Sequence, residues 1–461
     1  MDYVILLDFG STFTKATVVS RTEKKLIYTF RTPSTVQTDA SIGLRICLDQ
    51  IAKVIGSDAL ARAQKIASSS AAGGLRMVVI GLTESLSMIA GKNAAYGAGA
   101  KVIKAFSHGL RDEDIEEIAQ IHPEIILLCG GYEGGASKRV LDNARKLAQC
   151  PALDMPIVYA GNSDIQPAIR RLFIRPGQPV LLAENIIPSI GKLNIASTVT
   201  AVREIFMKRI THMKGFDVVK QYVGDIVMPT PAAVLAGVKL LAEGTETQAG
   251  WEQVMLVDMG GATTDVHSVA PQTTLDGVHL MGAPEPIAKR TVEGDIGMRE
   301  SVGTLVEAAN NRRLQELSHL SQENIIQCVQ ERLNNHAFLS TTAEEQHFEQ
   351  AAAQEGLRVS VRRHVGRLFD GYVKTAQKVQ RGKDLRDVKA IIGTGGPIIN
   401  SLKPKEILQE ALQKSDERDV LLPEKAKFYL DSSYICYAAG LLAQRDRDGA
   451  FSLLTHSLKP L

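Results

Sequence analysis

Two short segments of this sequence combine an acidic residue, glycine and hydroxyl side chains in the same order. The first is Asp8-Phe9-Gly10-Ser11-Thr12-Phe13-Thr14-Lys15, and the second is Asp258-Met259-Gly260-Gly261-Ala262-Thr263-Thr264-Asp265. They align without gaps, and each lies between two apolar stretches that are typical of β-strands. The chain therefore contains a long-range repeat of an Asp-x-Gly hairpin.

Such a hairpin carries the groups that a phosphate and a divalent cation require. Glycine lets the backbone approach an anion closely, and the turn N–H groups and nearby hydroxyls can donate hydrogen bonds to it. The carboxylate of Asp8 offers Mg²⁺ a hard oxygen ligand, directly or through water. The predicted phosphate contacts of the two hairpins are Gly10, Ser11, Thr12, Thr14, Lys15, Gly260, Gly261, Thr263 and Thr264. Two such hairpins could hold the β- and γ-phosphates of one nucleotide, with Asp8 and Asp258 as the metal ligands.

Each of these residues also has a simpler interpretation. One hairpin taken alone is equally well explained as a plain β-turn that uses Asp and Gly for its geometry. Lys15 could neutralise phosphate charge or stand as a solvated lysine at a strand edge. Asp265 could orient an attacking water or simply anchor its hairpin. The repetition of the hairpin favours nucleotide binding.

A third glycine-rich segment fits the same chemistry. The apolar run that begins at Ala390 leads into Gly393-Thr394-Gly395-Gly396, which offers a surface without side chains against which a nucleoside could lie. Two helices rich in small residues, around Gly237 and Gly440, could cross closely and suit a hinge. The sequence therefore predicts phosphate, nucleoside and hinge elements in one chain.

Apolar runs and turn residues indicate the elements that carry these groups. We expect an antiparallel meander of strands at Tyr3–Asp8, Lys15–Ser20 and Lys25–Phe30, followed by a linker of small residues from Ala67 to Gly74. From Met77 to about Met213, short apolar runs alternate with amphipathic segments, which predicts a parallel α/β domain of flavodoxin-like or Rossmann-like type.

The meander pattern returns in the second half of the chain. Strands are expected at Gln253–Asp258, Thr264–Val269 and His279–Met281, after a small-residue helix from Pro231 to Leu241. Residues 298–386 are polar with apolar residues at helical spacing, which predicts a helical subdomain. A strand at Val388–Gly393 and a helix within residues 432–445 complete the pattern.

Composition excludes several classes of function. The 461 residues include 53 Lys and Arg against 51 Asp and Glu, so a net charge of +2 provides no bulk field for nucleic acid or an anionic membrane. No apolar run is long enough to cross a bilayer, and no signal peptide is recognisable at Met1. The five cysteines form no C-x-x-C pair, so the default expectation is a reducing cytoplasm.

The order of these motifs resembles the actin, Hsp70 and sugar-kinase superfamily. The matching elements are the first phosphate hairpin, a connecting helix, the second phosphate hairpin, the adenosine turn and a second connecting helix. Within that superfamily, three segments resemble the glutamate mutase L family, also called MutL or GlmL. They are LLDFGSTFTKA near the start of the chain, DMGGATTDVHS in the middle and GTGGP late in the chain. The mismatch-repair protein that shares the name is unrelated.

The resemblance implies an α/β fold with two actin-like, ribonuclease H-like halves around a nucleotide cleft, an inserted parallel α/β domain and a helical subdomain. The implied segments are 1–74 and 251–297 for the first parts of the two halves, 75–215 for the insertion, 216–250 for the connecting helix region, 298–386 for the helical subdomain and 387–461 for the C-terminal part of the second half.

The resemblance also implies a function. It indicates an ATP-binding and slowly ATP-hydrolysing, chaperone-like factor that reactivates an adenosylcobalamin-dependent mutase, with ATP and Mg²⁺ as cofactors and mutase subunits as partners. Asp8 and Asp258 match the acidic positions, and Gly393, Thr394, Gly395 and Gly396 match the nucleoside turn. The group that orients water is left open between Asp265 and the Glu293-Gly294-Asp295 turn. The client mutase and the oligomeric state are also left open.

Three other functions are compatible with the same fold. A small-molecule kinase would need a carboxylate base in a substrate cleft, and a filament-forming protein would assemble on ATP. An activator of radical dehydratases would need a cluster-ligating cysteine near the second hairpin, where the sequence has none.

The inserted domain also holds loops that could bind a ligand. These are Cys129–Gly135, Asn162-Ser163-Asp164 and Glu184-Asn185, each of which follows an apolar strand. The glycine-rich loop could bind an anion or only turn the chain, and Asn162 could merely cap a helix. The insertion has no D-x-H-x-x-G spacing, so we expect no lower-ligand histidine for cobalamin there.

Overall fold

A computed structural model describes residues 2–70, 75–210, 214–223, 226–373 and 376–461. The chain divides into two compact units, the first made of 1–234 with 282–286 and the second of 235–281 with 287–461. Within the described ranges, no helix is long and apolar enough to cross a membrane.

The first unit alternates strands and helices along most of its length. In chain order it contains β1 (Tyr3–Phe9), β2 (Phe13–Ser20), β3 (Lys25–Pro33), α1 (Ala40–Ile55), α2 (Ser57–Arg62), β4 (Gln64–Ser69), β5 (Arg76–Ile80), α3 (Ile89–Ala98), β6 (Lys101–Phe106), α4 (Asp112–Ile121), β7 (Ile125–Gly130), α5 (Lys138–Gln149), β8 (Ile157–Gly161), α6 (Gln166–Leu172), β9 (Val180–Leu182), α7 (Ala196–Ile210), α8 (Phe216–Val223) and β10 (Ile226–Pro229). Helix α9 (Thr230–Glu243) then leads from the first unit into the second.

The first sheet has the order β10-β4-β1-β2-β3. Strands β1, β2 and β3 form an antiparallel meander, whereas β4 runs parallel to β1 and β10 runs parallel to β4. Counted in chain order, its strands therefore lie in the order 3-2-1-4-5 of a ribonuclease H-like sheet. The expected linker needs correction, because Ala67 to Ser69 belong to β4 and are buried, while 71–74 lie outside the described residues.

The inserted sheet is entirely parallel, with the order β6-β5-β7-β8-β9. This is the flavodoxin-like order 2-1-3-4-5. Alternate residues of its strands enter two different cores, because Leu127 faces one cluster of buried residues and Leu128 the other. Burial on both faces explains why these strands are continuous apolar runs.

The second unit begins with another meander. In chain order it contains β11 (Val254–Met259), β12 (Thr264–Val269), β13 (Val278–Leu280), β14 (Ala288–Glu293), α10 (Val302–Ala308), α11 (Asn311–Ser318), α12 (Gln322–Asn334), α13 (Ala343–His364), β15 (Arg367–Val373), β16 (Ala376–Arg381), β17 (Ala390–Thr394), α14 (Gly396–Ile399), α15 (Pro404–Gln409), β18 (Lys427–Leu430), α16 (Ile435–Leu442), α17 (Arg447–Ser457) and β19 (Lys459–Pro460).

Its main sheet has the order β14-β12-β11-β17-β18-β19. Strand β12 is antiparallel to both β11 and β14, and β17 and β18 run parallel to β11, so the 3-2-1-4-5 order occurs a second time. Strand β19 adds an antiparallel edge. The predicted α/β class with two ribonuclease H-like sheets and an inserted parallel sheet is confirmed.

Two elements of the second unit differ from the sequence prediction. The third strand of the meander is β14, not the predicted His279–Met281, because β13 pairs with β16 in a separate small sheet. The region predicted as helical is helical only as far as His364, and β15 and β16 follow as an antiparallel pair. These strands carry polar residues, so an apolar run did not mark them.

Two histidines are buried in the core of the second unit. The ring of His364 lies 2.7 Å from the Ser268 Oγ and 2.8 Å from the Thr291 Oγ1. Burial holds the pKa of His364 well below its ordinary value, and the charges of Lys289 and Lys383 lower it further. Burial, with a smaller contribution from Arg290, also lowers the pKa of His267. Both rings are therefore neutral in the folded protein at neutral pH.

We expect the free energy of unfolding of the second unit to decrease as the pH falls below about 6.5, the ordinary pKa of histidine. In that range the unfolded chain binds protons that the folded chain excludes. The contribution is complete above that pH and is lost as the pH falls, by up to about 1.4 kcal/mol per pH unit for each histidine. Urea unfolding can be followed by the fluorescence of Trp251, the only tryptophan, which packs on Tyr429.

His364→Gln should reduce this pH dependence, whereas the same change at the exposed His336 should not. An identical slope in wild type and His364→Gln would show that His364 does not titrate in this way.

Candidate functional site

The first hairpin places Asp8 near the carboxyl end of β1, in a tight connection to β2. The Gly10 N–H donates to the Phe13 carbonyl at 3.0 Å, and a Cβ at Gly10 would lie 2.6 Å from that oxygen. The Ser34 hydroxyl donates to the Gly10 carbonyl at 2.6 Å. Ser11 and Thr12 form the exposed tip of the turn. Glycine is thus required where the prediction placed a phosphate-binding turn.

Polar groups from three other elements surround the Asp8 carboxylate. The Thr230 hydroxyl donates to Oδ1 at 2.5 Å, and the Ser68 hydroxyl lies 3.4 Å from the same oxygen. The Nζ of Lys15 lies 3.5 Å from Oδ2. Because Asp8 is only 1% exposed, these partners compensate a charge that would otherwise be costly to bury. Lys15 is therefore an ion-pair partner and not a solvated strand-edge lysine.

The second hairpin repeats this turn. The Gly260 N–H donates to the Thr263 carbonyl at 2.8 Å, as Gly10 does to Phe13. The Gly260 and Gly261 carbonyls accept hydrogen bonds from the N–H groups of Met298 and Arg299 at 3.0 and 2.8 Å. Asp258 is half-buried near the end of β11, the position that Asp8 has in β1.

The glycine-rich turn after β17 lies directly against Asp258. Gly395 has a φ of +89°, and a Cβ there would lie 2.0 Å from the Met259 carbonyl oxygen and 2.8 Å from the Asp258 Oδ1. A Cβ at Gly396 would make only an ordinary van der Waals contact, 3.8 Å from the side-chain nitrogen of Asn400. The structure thus brings Asp258, Gly395 and Gly396 together in the second unit.

Gly393 and Thr394 have packing roles within this turn. A Cβ at Gly393 would lie 2.8 Å from the Ile398 side chain and 2.9 Å from that of Leu408. The buried Thr394 hydroxyl donates to the Asp431 carbonyl at 3.3 Å. Both residues pack against other parts of the protein and hold the turn in place, whereas the sequence predicted that they contact a nucleoside.

The two sheets surround their acidic residues in a matching way. Asp8 pairs in register with Ser68 on the fourth strand of its sheet, and Asp258 pairs with Thr394 on the fourth strand of the other. Thr230 directly follows the fifth strand β10, and Asp431 directly follows the fifth strand β18. The sequence analysis missed Ser68, Thr230 and Asp431.

Asp431 fixes the start of helix α16. Its carboxylate accepts the N–H groups of Ile435 at 2.7 Å and Cys436 at 3.0 Å, and its own N–H donates to the Gly393 carbonyl at 2.9 Å. Helix α9 approaches α16 closely, because a Cβ at Gly237 would lie 2.3 Å from the Cys436 carbonyl oxygen. The small residues therefore do permit a close helix crossing within the second unit.

Two of the predicted phosphate contacts lie on the opposite faces of their sheets. The hydroxyl of Thr14 is buried without a hydrogen-bond partner among the described residues and lies where a Cβ at Gly43 of α1 would approach to 2.7 Å. The hydroxyl of Thr264 is buried and donates to the Ile296 carbonyl at 2.9 Å. The predicted role of both threonines is therefore corrected, because adjacent strand residues point to opposite faces.

Both candidates for orienting water are held by arginines. Asp265 accepts the Arg290 guanidinium at 2.7 and 2.6 Å, and Arg290 is itself buried. Glu293 and Asp295 each accept Arg363 at 2.8 Å. Burial raises the pKa of Glu293 above its ordinary value although Arg363 acts in the opposite direction. Glu293 pairs in register with Thr264, so it lies on the face of the sheet opposite to Asp258 and Asp265.

Each of the two acidic residues could offer oxygen ligands to a magnesium ion, but each hairpin alone supplies few of them. No group of three or more His, Cys, Asp or Glu side chains that could hold a metal occurs among the residues the structure describes. Asp8 and Asp258 fit a cation that retains most of its water or takes its other ligands from phosphate, as Mg²⁺ does.

The 3-2-1-4-5 sheet occurs twice, each time with an acidic hairpin at the end of its first strand. This arrangement defines the fold class as that of the actin-like ATPase superfamily. The chain belongs to the MutL protein family, whose model matches residues 4–458. "Protein MutL" of Clostridium tetanomorphum is 38% identical over 456 residues, which cover 98% of each chain. The resemblance drawn from the motifs is confirmed.

Solved structures with similar folds have low sequence identity. The activator of 2-hydroxyisocaproyl-CoA dehydratase from Clostridium difficile, with bound ADPNP, is 11% identical with a TM-score of 0.31 and covers 97% of this chain and 95% of its own. Xylulose kinase from Rhodospirillum rubrum is 11% identical with a TM-score of 0.35 and covers 100% and 93%. The family assignment rests on the family model and the MutL relative, and not on these structures.

We expect Gly395→Ala to destabilise the second unit more than Gly277→Ala. Both glycines have positive φ, but a Cβ at Gly277 has open space, whereas one at Gly395 would overlap the backbone of Met259. Both variants should lower the free energy of unfolding, because alanine is strained at a positive φ. The clash should lower it by about 1–3 kcal/mol more in Gly395→Ala. Urea unfolding followed by Trp251 measures the difference, and equal losses would contradict the close approach.

Proposed function

We propose that this protein binds and slowly hydrolyses Mg²⁺-ATP, with Asp8 and Asp258 acting on the same nucleotide. The observation that carries the proposal is the recurrence of one constellation: an acidic residue at the same strand position, before the same glycine turn, in two sheets of the same order. A plain turn would not need a buried carboxylate that is held by a lysine and a threonine.

Each element has a separate role in this proposal. The turns around Gly10, Ser11 and Thr12 and around Gly260, Gly261 and Thr263 donate hydrogen bonds to phosphates. The donors are the remaining turn N–H groups and the hydroxyls of Ser11 and Thr12, because the N–H groups of Gly10 and Gly260 close the turns themselves. Gly395 brings the turn against Asp258, and the backbone of Gly396, which has no side chain, is the surface offered to the nucleoside. Mg²⁺, held by Asp8 and Asp258 directly or through water, would offset the negative charge of the phosphates.

For the group that orients the attacking water, strand register favours Asp265 over Glu293. Asp265 pairs with Asp258, so the two side chains lie on the same face of the sheet, whereas Glu293 pairs with Thr264 on the opposite face. The contacts of Asp265 with Arg290 hold its carboxylate in place.

We further propose that ATP hydrolysis serves an accessory, reactivating role for an adenosylcobalamin-dependent mutase in the cytoplasm. The support is membership of the MutL family and the resemblance to glutamate mutase L set out from the hairpin motifs. Nucleotide state would then shift the protein between forms of different affinity for its client.

We expect Asp8→Asn and Asp258→Asn each to lower ATP turnover by at least about 100-fold, because each removes a charged ligand of one Mg²⁺ ion. The measurement is phosphate release from Mg²⁺-ATP without any acceptor. The control is Asp276→Asn, which changes an exposed aspartate of a loop in the second unit and should leave turnover unchanged. Wild-type turnover in both hairpin variants, or phosphate transfer to a metabolite in place of hydrolysis, would contradict the proposal.

We expect immobilised protein to capture the subunits of an adenosylcobalamin-dependent mutase differently in ATP and ADP, by at least about 5-fold. Glutamate mutase and an aminomutase are the clients to compare. Asp8→Asn should remove the difference in capture between ATP and ADP, because the variant protein cannot respond to the nucleotide. Equal capture in both nucleotides, together with normal ATP turnover, would reject the accessory role and leave the ATPase proposal intact.

A further inference from the structure

A cavity of about 380 Å³ lies in the inserted domain, at the carboxyl ends of β7, β8 and β9. Its volume is in the range of small-molecule binding sites. Open parallel sheets bind ligands at this edge, because the loops that leave the strands there converge. The cavity is formed only by residues of the first unit.

Hydrogen bonds between the loops fix the shape of the cavity. Glu133, from the loop after β7, accepts the Ser163 hydroxyl at 2.5 Å and the Ser163 N–H at 3.0 Å from the loop after β8. The buried Asn185, from the loop after β9, donates its side-chain amide to the Gly131 carbonyl at 2.9 Å. Three separate loops are thereby joined around one cavity.

A second carboxylate lines the same cavity. The Glu184 Oε2 accepts the Asn194 side-chain amide at 2.8 Å, and the Glu184 N–H donates to the Ser197 Oγ at 3.0 Å. The Ser163 hydroxyl and the side-chain amides of Asn185 and Asn194 thus donate to protein acceptors. What the lining offers a ligand is therefore mainly the oxygens of Glu133 and Glu184, whose side chains are both exposed.

The charged side chains that line the cavity are all acidic. Its lining contains Glu133 and Glu184 but no lysine, arginine or histidine. Burial raises the pKa of Glu133, but hydrogen bonds from Ser163 and Asn185 outweigh burial and keep the pKa below its ordinary value. The glycine-rich loop after β7 therefore does not suit an anion, which was one of its two interpretations from the sequence.

We propose that this cavity is a second binding site, for a small organic cation that carries an ammonium group and hydroxyl groups. The ammonium group pairs with Glu133 and Glu184, and hydroxyl groups donate to the remaining oxygens of the lining. Charge-assisted hydrogen bonds to carboxylates supply most of the selectivity. The site is separate from the hairpins and does not depend on the proposed nucleotide function.

Three pyranoses that differ mainly in charge test the proposal on the full chain. Saturation-transfer NMR titrations with glucosamine, glucose and glucuronate compare an ammonium, a neutral and a carboxylate form of similar size. We expect glucosamine to bind most tightly and glucuronate least. Equal binding of all three, tighter binding of glucuronate, or no glucosamine binding at millimolar concentrations would overturn the proposal.

Variants locate the binding to this cavity. Glu133→Gln and Glu184→Gln should each weaken glucosamine binding by about 10-fold, the effect of losing one hydrogen bond to a charged group, and leave glucose binding unchanged. Glutamine keeps an acceptor oxygen for Ser163 or Asn194, so the loops should stay in place. Glu116→Gln, on the exposed face of α4, is the matched control. Wild-type glucosamine binding in both cavity variants would also overturn the proposal.

Discussion

A buried carboxylate at the end of a central strand is the constraint on which the first unit depends. Asp8 is almost inaccessible to water, and its charge is stable there only because Lys15, Thr230 and Ser68 approach it. These partners come from β2, β4 and the start of α9, so all of these elements must be in register at one point. The turn at Gly10 then follows directly from the same strand end.

The second unit builds the equivalent point differently. Asp258 is half-buried, and the backbone of Gly395 lies against it in a conformation that other residues rarely adopt. The two sheets also carry their additions at different places, after the fourth strand in the first and after the third in the second. Both additions leave the end of the first strand in place. The chain can therefore vary around the acidic hairpins without altering them.

Apolar patterning was sufficient to predict the elements that are buried on at least one face. Strands β1, β2, β11 and β12 and the inserted parallel sheet follow from it directly. The patterning did not predict β14, because this strand contains the buried Lys289 and Arg290 and so has a polar sequence. It also did not predict β15 and β16, which pair with each other locally but have a composition typical of a helix.

The same analysis found the acidic residues of the site but not their partners. The partner Thr230 lies 222 residues from Asp8, and no local spacing indicates such a contact. Strand alternation, however, could have excluded Thr14, since Thr14 and Lys15 are neighbours on β2 and cannot both face the Asp8 side. The cavity of the inserted domain was indicated by its three loops, but its preference for a cation became clear only when Glu133 and Glu184 were placed together.

The most direct measurement is a crystal structure of the full chain with Mg²⁺ and a non-hydrolysable ATP analogue. We predict that the turns after Asp8 and Asp258 both contact the triphosphate, and that both carboxylates reach the metal ion directly or through a water molecule. A nucleotide bound at only one hairpin, or at neither, would contradict the central claim.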